Sequence, residues 1–489
     1  MNRIKTFITK HDNLCVFLLF LVISAGFVFK NKIFGFDSLW VFGNLYKLSH
    51  GFKIYEEVNI ITFPLFYEVF KTLLSLFNNY LGFLLLNFLI LTPLYYMIYQ
   101  VFKACNVKKN IALLLTVLVS IITSQIGNFG PSYNTLSLLL YITGLFFYLT
   151  KKNSKYSFII QGIFAFLVLM CNQKFGAAYI VGLLLLHLFN IKSEKKSILN
   201  LIKTYLVTLV LCGVSVLVLF LTKKLDSFIN LTLSGMNSFT HNFSFDIIAI
   251  LYIIGIFVFL IFSFICIKKK HNSYEPIKPL LCFSFTLLVI VYPILNTYHF
   301  LLFFTVFFIL VFYVFYNLFM RVLDNKKANR IINIITTLCI LFLIGNSIVK
   351  FIDWHSNCNK TSGDLFYGAV INESLKPYAN EISEYIKTLK EQNINYRILS
   401  AHAMLHTLYD VPEKNNYFLD MPLKGNLGKD DWRTLADALD QEPDGTYIII
   451  DKKIDNKFFM YQFPEGIFNY VNDNYKHIKD FDYYAVYEK

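Results

Sequence analysis

The chain has 489 residues and is 56% hydrophobic, 18% aromatic and only 16% charged. A water-soluble fold could not bury that much apolar surface, so the composition points to a polytopic membrane protein. The net charge of +13 fits the Lys excess of cytoplasmic loops, and no stripe of Lys and Arg interleaved with aromatics suggests a nucleic-acid partner.

The first apolar run, near 14–30, is followed by the bulky stretch "FVFKNKIFGFD" rather than by a small-residue cleavage site, so it reads as a retained helix. Further apolar runs of spanning length fall near 80–102, 110–125, 133–150, 157–172, 175–190, 204–222, 246–267, 279–292, 299–319 and 331–350, which predicts eleven spans in all. The connections alternate in character. "MNRIKTFITK", "KACNVKK", "KKNSKY", "KSEKKSILNLIK", "KKKHNSYEPIK" and "MRVLDNKKANR" each carry three or four Lys or Arg. The connections between them, at 31–79, 126–132, 173–174, 223–244 and 293–298, are nearly free of clustered charge. The positive-inside rule then places the N-terminus in the cytoplasm and residues 351–489 outside, in a multi-pass protein of the plasma membrane. The abundance of Lys, Asn, Ile, Phe and Tyr points to an AT-rich, bacterial source.

The first outer connection is long. Asp37 or Ser38 suits an N-cap, Gly51 a C-terminal stop and Pro64 a second helix start. Phe66, Val69, Phe70 and Leu73 recur at helical spacing, which predicts two short amphipathic helices in the interface. The tail is polar and charged. "EISEYIKTLKEQN" has helical spacing, with Ile382, Tyr385, Ile386 and Leu389 on one face, whereas "YRILSA", "TYIIIDKK" and "YYAVYEK" read as strands. The expected division is a transmembrane domain over 1–350 and a small extracytoplasmic α/β domain over 351–489. "FLDMPLKGNLGKDDW", with Asp420, Gly425, Asn426 and Gly428, reads as turns.

Seven cysteines lie in or beside apolar runs and only Cys358 falls in the tail, which leaves no disulfide framework there. No CxxC, HExxH or GxxxxGK[ST] spacing occurs, so thiol-redox chemistry, zinc hydrolysis and P-loop ATP use find no motif. No cofactor is called for.

Polar residues gather at the outer ends of the spans. "GNFGPSYNTLS" holds Asn128, Tyr133 and Asn134; "MCNQKFGAAY" holds Asn172, Gln173 and Lys174; "YPILNTYHF" holds Tyr292, Asn296, Tyr298 and His299. Each has an ordinary explanation: Asp37 as a helix cap, Lys174 as a snorkelling cation, His299 as a hydrogen-bonded interfacial residue, the tyrosines as interface-belt aromatics. Their shared side favours a common site.

These patches, in this order, resemble the GT-C superfamily of integral-membrane glycosyltransferases, which take a sugar from a polyprenyl-phosphate carrier. That superfamily includes the protein O-mannosyltransferases and the lipid A aminoarabinose transferase. "FDSLWVFGNLYKLSHGFKIYEE" is similar to the family's Asp, helix, Gly, Tyr-x-acid succession and puts Asp37, Gly51, Tyr55, Glu56 and Glu57 in register. "PSYNTLSLLL", "NQKFG" and "YPILNTYHF" resemble the Tyr-Asn opening of a middle span, the Lys-bearing turn and the late motif ending in His. Two departures stand out: Ser38 replaces a second acid, and the late motif has no Arg.

The resemblance implies a polyprenyl-phosphate-linked sugar donor and an acceptor among envelope glycan, glycolipid or protein. It implies Asp37 as the catalytic group, with no metal ligand set assigned. Tyr55, Glu56, Glu57, Tyr133, Asn134, Asn172, Gln173, Lys174, Asn296, Tyr298 and His299 are the implied substrate-binding residues. For Glu56 and Glu57 the other reading is solvated loop acids. The alternative function is a membrane transporter or lipid flippase, but no internal repeat is visible and the polar candidates lie at span ends rather than mid-span.

Overall fold

The computed structural model describes residues 12–30, 36–55, 58, 60, 62–123, 131–190, 197–229, 232, 261, 275–291, 304–323, 326–362, 366–370, 381–399, 436–437, 439–452 and 466–489; the side chains of 12, 36–40, 291, 320–323 and 383 are outside this description. The described chain is mostly helical, with a small sheet near the C-terminus. Among the described residues, four helices are long and apolar enough to cross a membrane: Tyr80–Ala104 (α4), Tyr133–Lys151 (α6), Ser197–Leu221 (α9) and Lys326–Asn357 (α13). Shorter apolar helices are α1 (Asp12–Val28), α5 (Lys109–Thr123), α7 (Ser157–Cys171), α8 (Gln173–Asn190), α11 (Ile277–Val291) and α12 (Thr305–Leu323). The expected span 246–267 lies outside the described residues but for residue 261, so the predicted eleven are not all in view.

Leucines, isoleucines and phenylalanines face outward on the long helices; Leu209 on α9 is 66% exposed and Phe342 on α13 is 69% exposed. Water would not tolerate such surfaces over this length, and acyl chains would. Inside the bundle, α1 packs between α13 and α4, α4 against α6, α6 against α7, and α8 against α11. Three hydrogen bonds join polar groups inside the bundle. Tyr179 donates to Gln161 Oε1 at 2.7 Å, Gln161 Nε2 donates to the Gly144 carbonyl at 3.3 Å, and Tyr141 donates to the Phe283 carbonyl at 2.8 Å. These bonds cross-link α6, α7, α8 and α11 in an apolar surrounding.

The two kinds of connection separate to opposite ends. At the basic end, Lys103 donates to Asn13 Oδ1 at 3.3 Å, Asn110 to Asn333 Oδ1 at 2.9 Å, and Lys152 pairs with Glu275 at 3.0 Å. His187 meets Ser197 there at 2.9 Å. At the other end, Phe29 packs on Trp354, Phe66 on Tyr133, and Tyr55 on Phe228. Each contact joins connections that the charge pattern had grouped together.

The first connection of the second end forms α2 (Phe36–Ser49) and α3 (Leu65–Leu74). Helix α2 stops as expected: Gly51 follows at φ +92°, and Phe52 N–H closes on the Lys47 carbonyl at 3.2 Å in a Schellman arrangement. Its start is corrected. The described helix already includes Phe36 and Asp37, so Asp37 lies within it rather than at its cap. Helix α3 begins after Pro64 as expected, but its inner face is Phe66, Tyr67, Phe70 and Leu74. Val69 faces out beside the Glu68–Lys71 ion pair, while the helix packs against α2, α4, α6 and α7.

Helix α13 runs on to Asn357, past the expected boundary at 350–351. The tail then forms α14 (Ser383–Glu391), β1 (Tyr396–Leu399), β2 (Tyr447–Asp451), α15 (Ile467–Asn474), β3 (Lys476–Asp480) and β4 (Tyr484–Glu488). The strand order is β1-β2-β4-β3, with β1 and β2 parallel and the other pairs antiparallel. Alternate residues reach opposite faces: Ile398, Ile449 and Val486 lie in one apolar cluster with Ile386 of α14. Ile448, Ile450 and Tyr487 lie in another with Val471 of α15. Three strands and α14 match the sequence expectation, while β3 and α15 went unread. The "FLDMPLKGNLGKDDW" loop lies outside the described residues.

Arg397 of β1 makes a bidentate pair with Glu442, at 2.8 and 2.6 Å, with both side chains almost wholly buried. Removing one partner strands a buried charge. Glu442→Ala should therefore destabilise the sheet domain by roughly 3–5 kcal/mol, and the apolar double variant Arg397→Met/Glu442→Leu should regain most of it. Protease resistance of the tail across a denaturant series measures both.

Candidate functional site

The turn between α7 and α8 is built around Asn172. Its backbone is extended and ends α7. Its Oδ1 accepts from Lys174 N–H at 2.9 Å and Phe175 N–H at 3.4 Å, which caps α8. Its Nδ2 donates to Asn134 Oδ1 at 2.7 Å, on the first turn of α6. Ser132 caps that helix by accepting from Thr135 N–H at 3.2 Å. Cys171 Sγ also donates to the Tyr133 carbonyl, at 3.3 Å. One amide thus stops a helix, starts the next and ties both to a third. Gly176 makes so tight a turn possible: a Cβ there would lie 2.3 Å from Leu169 Cα.

This arrangement brings Tyr133, Asn134, Asn172, Gln173 and Lys174 together. Asn172 is buried, and the other four are half-buried. Helix α3 packs against α6 and α7 at the same place, where the Phe66 ring lies 6.4 Å from that of Tyr133. Helix α2, which carries Asp37, packs against α3. Lys174 sits in the two-residue connection between two expected spans, and burial pulls its amine down to about 8. A half-buried ammonium at a helix start is held against both the dipole and desolvation, which suits it to receive an anion.

Tyr55 has a different place. It adopts φ +67°, is buried, and donates its hydroxyl to the Thr62 carbonyl at 2.9 Å. Its ring sits edge-on to Phe228 of the short helix α10 (Leu225–Phe228), 5.4 Å away. Burial, with Glu68 adding to it, pushes the phenol well up, so it is a fixed neutral donor. The observed part of Tyr55 is a staple across the 54–62 loop.

Glu56, Glu57, Asn296, Tyr298 and His299 lie outside the described residues, as does the side chain of Asp37, whose backbone alone is placed at the start of α2. Among the described residues no three His, Cys, Asp or Glu side chains gather as a metal site.

Two polar residues of α2 escaped the sequence reading. Asn44 is fully buried, and neither atom of its amide has a hydrogen-bond partner among the described residues. Lys47 is only 5% exposed. Asn44 follows Asp37 by seven residues, which returns it to within about 20° of the same helix face. The readable signal was an Asn and a Lys at i+7 and i+10 from Asp37 in an otherwise apolar helix.

No protein-family model matches this sequence, and no curated protein matches it. Among solved structures, the chain is similar to the oligosaccharyltransferase of Archaeoglobus fulgidus, whose crystal structure contains zinc and sulfate. The alignment covers 90% of this chain and 68% of that one, with 10% identity and a TM-score of 0.49. At this identity and score the likeness assigns neither family nor activity to this chain.

Proposed function

We propose that the protein is a membrane glycosyltransferase of the GT-C type, moving a sugar from a polyprenyl-phosphate carrier to an acceptor outside the cytoplasm. The observation that carries this reading is the convergence at one bundle end of α2, α3, the α6 start and the α7–α8 turn. That end is the one opposite the basic connections, so it is the extracytoplasmic end if the charge rule holds.

The chemistry follows from the residues. The donor already carries a phosphate leaving group. The acceptor hydroxyl or amine needs a base, and Asp37 supplies a carboxylate on helix α2. The acceptor atom attacks the anomeric carbon and gives up its proton to Asp37. The bond to the carrier oxygen breaks, and the electron pair leaves with the phosphate. Lys174 and His299 neutralise the charge that develops there. A single displacement with one carboxylate inverts the anomeric centre. Asn134 and Asn172 position Lys174, and Gln173, Tyr133, Asn296 and Tyr298 line the sugar and phosphate subsites. Glu56 and Glu57 take the acceptor side. Helices α2 and α3 lie where a long lipid would enter from the bilayer, with Val69, Leu76 and Phe77 turned outward. The acceptor class is envelope glycan, glycolipid or protein.

Asp37→Asn should lower transfer in membranes by about 10²–10⁴-fold at unchanged expression. Activity near that of the unaltered protein removes the base assignment. Inactivating the gene should delete one sugar from an envelope fraction, read by mass spectrometry; an intact sugar profile with altered uptake would favour transport.

The Lys174 amine is charged below about 8 and loses its proton above that value. Stabilisation of the leaving phosphate is therefore present at neutral pH and lost as pH rises through about 8. Transfer should decline on that limb, and Lys174→Arg, which stays charged, should move the decline to higher pH. An unchanged limb in that variant would show that another group titrates.

A further inference from the structure

After α13 the chain turns back on itself. Gly368 N–H donates to the Asn359 carbonyl at 2.8 Å and Asn359 N–H to the Ala369 carbonyl at 2.9 Å. These bonds tie Asn359 to residues 366–370, which form a short strap lying on the bundle end. Three attachments hold it. Trp354 Nε1, at the end of α13, donates to the Gly368 carbonyl at 2.7 Å. Leu81 N–H, in the first turn of α4, donates to the Tyr367 carbonyl at 2.9 Å. Phe366 is buried with its ring 6.0 Å from Phe42 of α2 and 6.4 Å from Tyr80 of α4.

Gly368 shows how closely the strap is seated. It sits at φ +84°, and a Cβ there would lie 2.8 Å from Leu81 Cβ. Only glycine meets both demands without strain. Phe42 is the other half of the contact. It is fully buried, and it also packs edge-on to Tyr80 at 5.2 Å and against Phe83 at 5.3 Å. Its position five residues after Asp37 turns it by about 140° around the helix. Phe42 therefore grips α2 on the side away from Asp37. A helix gripped there cannot rotate about its axis without pulling Phe42 from the Phe366, Tyr80 and Phe83 cluster.

We infer that the 366–370 strap, through Phe366, is a positioning element for α2: it fixes the rotation of the helix that carries Asp37. The tail is then part of the catalytic scaffold. The structural half of this inference stands on the contacts alone, and its consequence for transfer rests on the reading of Asp37 above.

The test uses the full chain in lipid nanodiscs, with Phe366→Ala and the conservative Phe366→Leu. Hydrogen exchange of peptides covering 36–49 should accelerate by roughly tenfold in Phe366→Ala, while peptides from α6 to α8 keep their protection, and Phe366→Leu should restore most of it. In transfer assays Phe366→Ala should lower kcat by up to about 10²-fold with little change in donor KM, since misplacing a base affects the reacting step. Unchanged exchange in 36–49 overturns the inference. So does acceleration spread evenly over α2, α4 and α6 to α8, which would make the strap a general prop. Gly368→Val, which lifts the strap from Leu81, should reproduce the Phe366→Ala pattern; protection of 36–49 in that variant also overturns it. If Asp37→Asn transfers normally while exchange in 36–49 responds to Phe366→Ala, the strap stands and the base assignment falls.

Discussion

A chain that enters an apolar layer as a helix can end only on the far side, because its backbone groups find no water partners on the way. Every crossing therefore switches ends, and the parity of crossings decides which side chains can meet. Here Asn134, Asn172 and Lys174 share an end with α2 and α3, whereas Asn13, Lys103, Lys152, Glu275 and Asn333 share the opposite one. Residues far apart in sequence become neighbours through this parity alone. Fine geometry is then added by short-range devices, of which the Asn172 cap is the most economical. It uses one side chain to set the spacing of three helices.

That Asn134, Asn172 and Lys174 share an end with one another was legible in the sequence because charge leaves a coarse mark: a Lys cluster is costly to move across a bilayer and needs no exact position. Helix ends with special chemistry were legible too. Gly51 stands at φ +92° beyond α2, and Pro64 stands before α3. What went unread depends on partners that periodicity does not encode. Strand β3, "KHIKD", is polar along its length because it is an edge strand with both faces near water. The inner face of α3 is Phe66, Tyr67, Phe70 and Leu74, set by the four helices α2, α4, α6 and α7 packed around it. Asn44 and Lys47 passed as ordinary interruptions of an apolar helix, although packing buries both. The strap was invisible, since "FYGAV" carries no pattern until Phe42 and Leu81 are placed against it.

The candidate site was legible as composition and less so as geometry. Asn134, Asn172 and Lys174 were singled out for lying at span ends, and they are indeed adjacent. Their division of labour follows from bonds that no spacing rule supplies: the asparagines spend their amides on each other and on the α8 start, which leaves Lys174 as the charged group of the turn. Tyr55 shows the opposite case. Its register with an acidic pair suggested a ligand contact, yet a left-handed backbone and a bond to the Thr62 carbonyl direct its hydroxyl into the loop.

The distribution of polar groups along the bundle also bears on the choice between transfer and transport. A transporter needs polar groups at the midplane that can exchange their partners for a passing solute. In this bundle three mid-depth bonds tie four helices together, with Tyr179 on Gln161, Gln161 on the Gly144 carbonyl and Tyr141 on the Phe283 carbonyl. Opening a path there would break several bonds in an apolar surrounding, each costly to leave unmade. The bundle end holds polar groups of a different kind. The fully buried amide of Asn44 has no partner among the described residues, and a half-buried amine stands at the start of α8. The bonds linking α6, α7, α8 and α11 thus stand against a path between those helices, while the polar turn around Asn172 lies at the bundle end, a division that accords better with the proposed reaction at the surface than with passage through the protein.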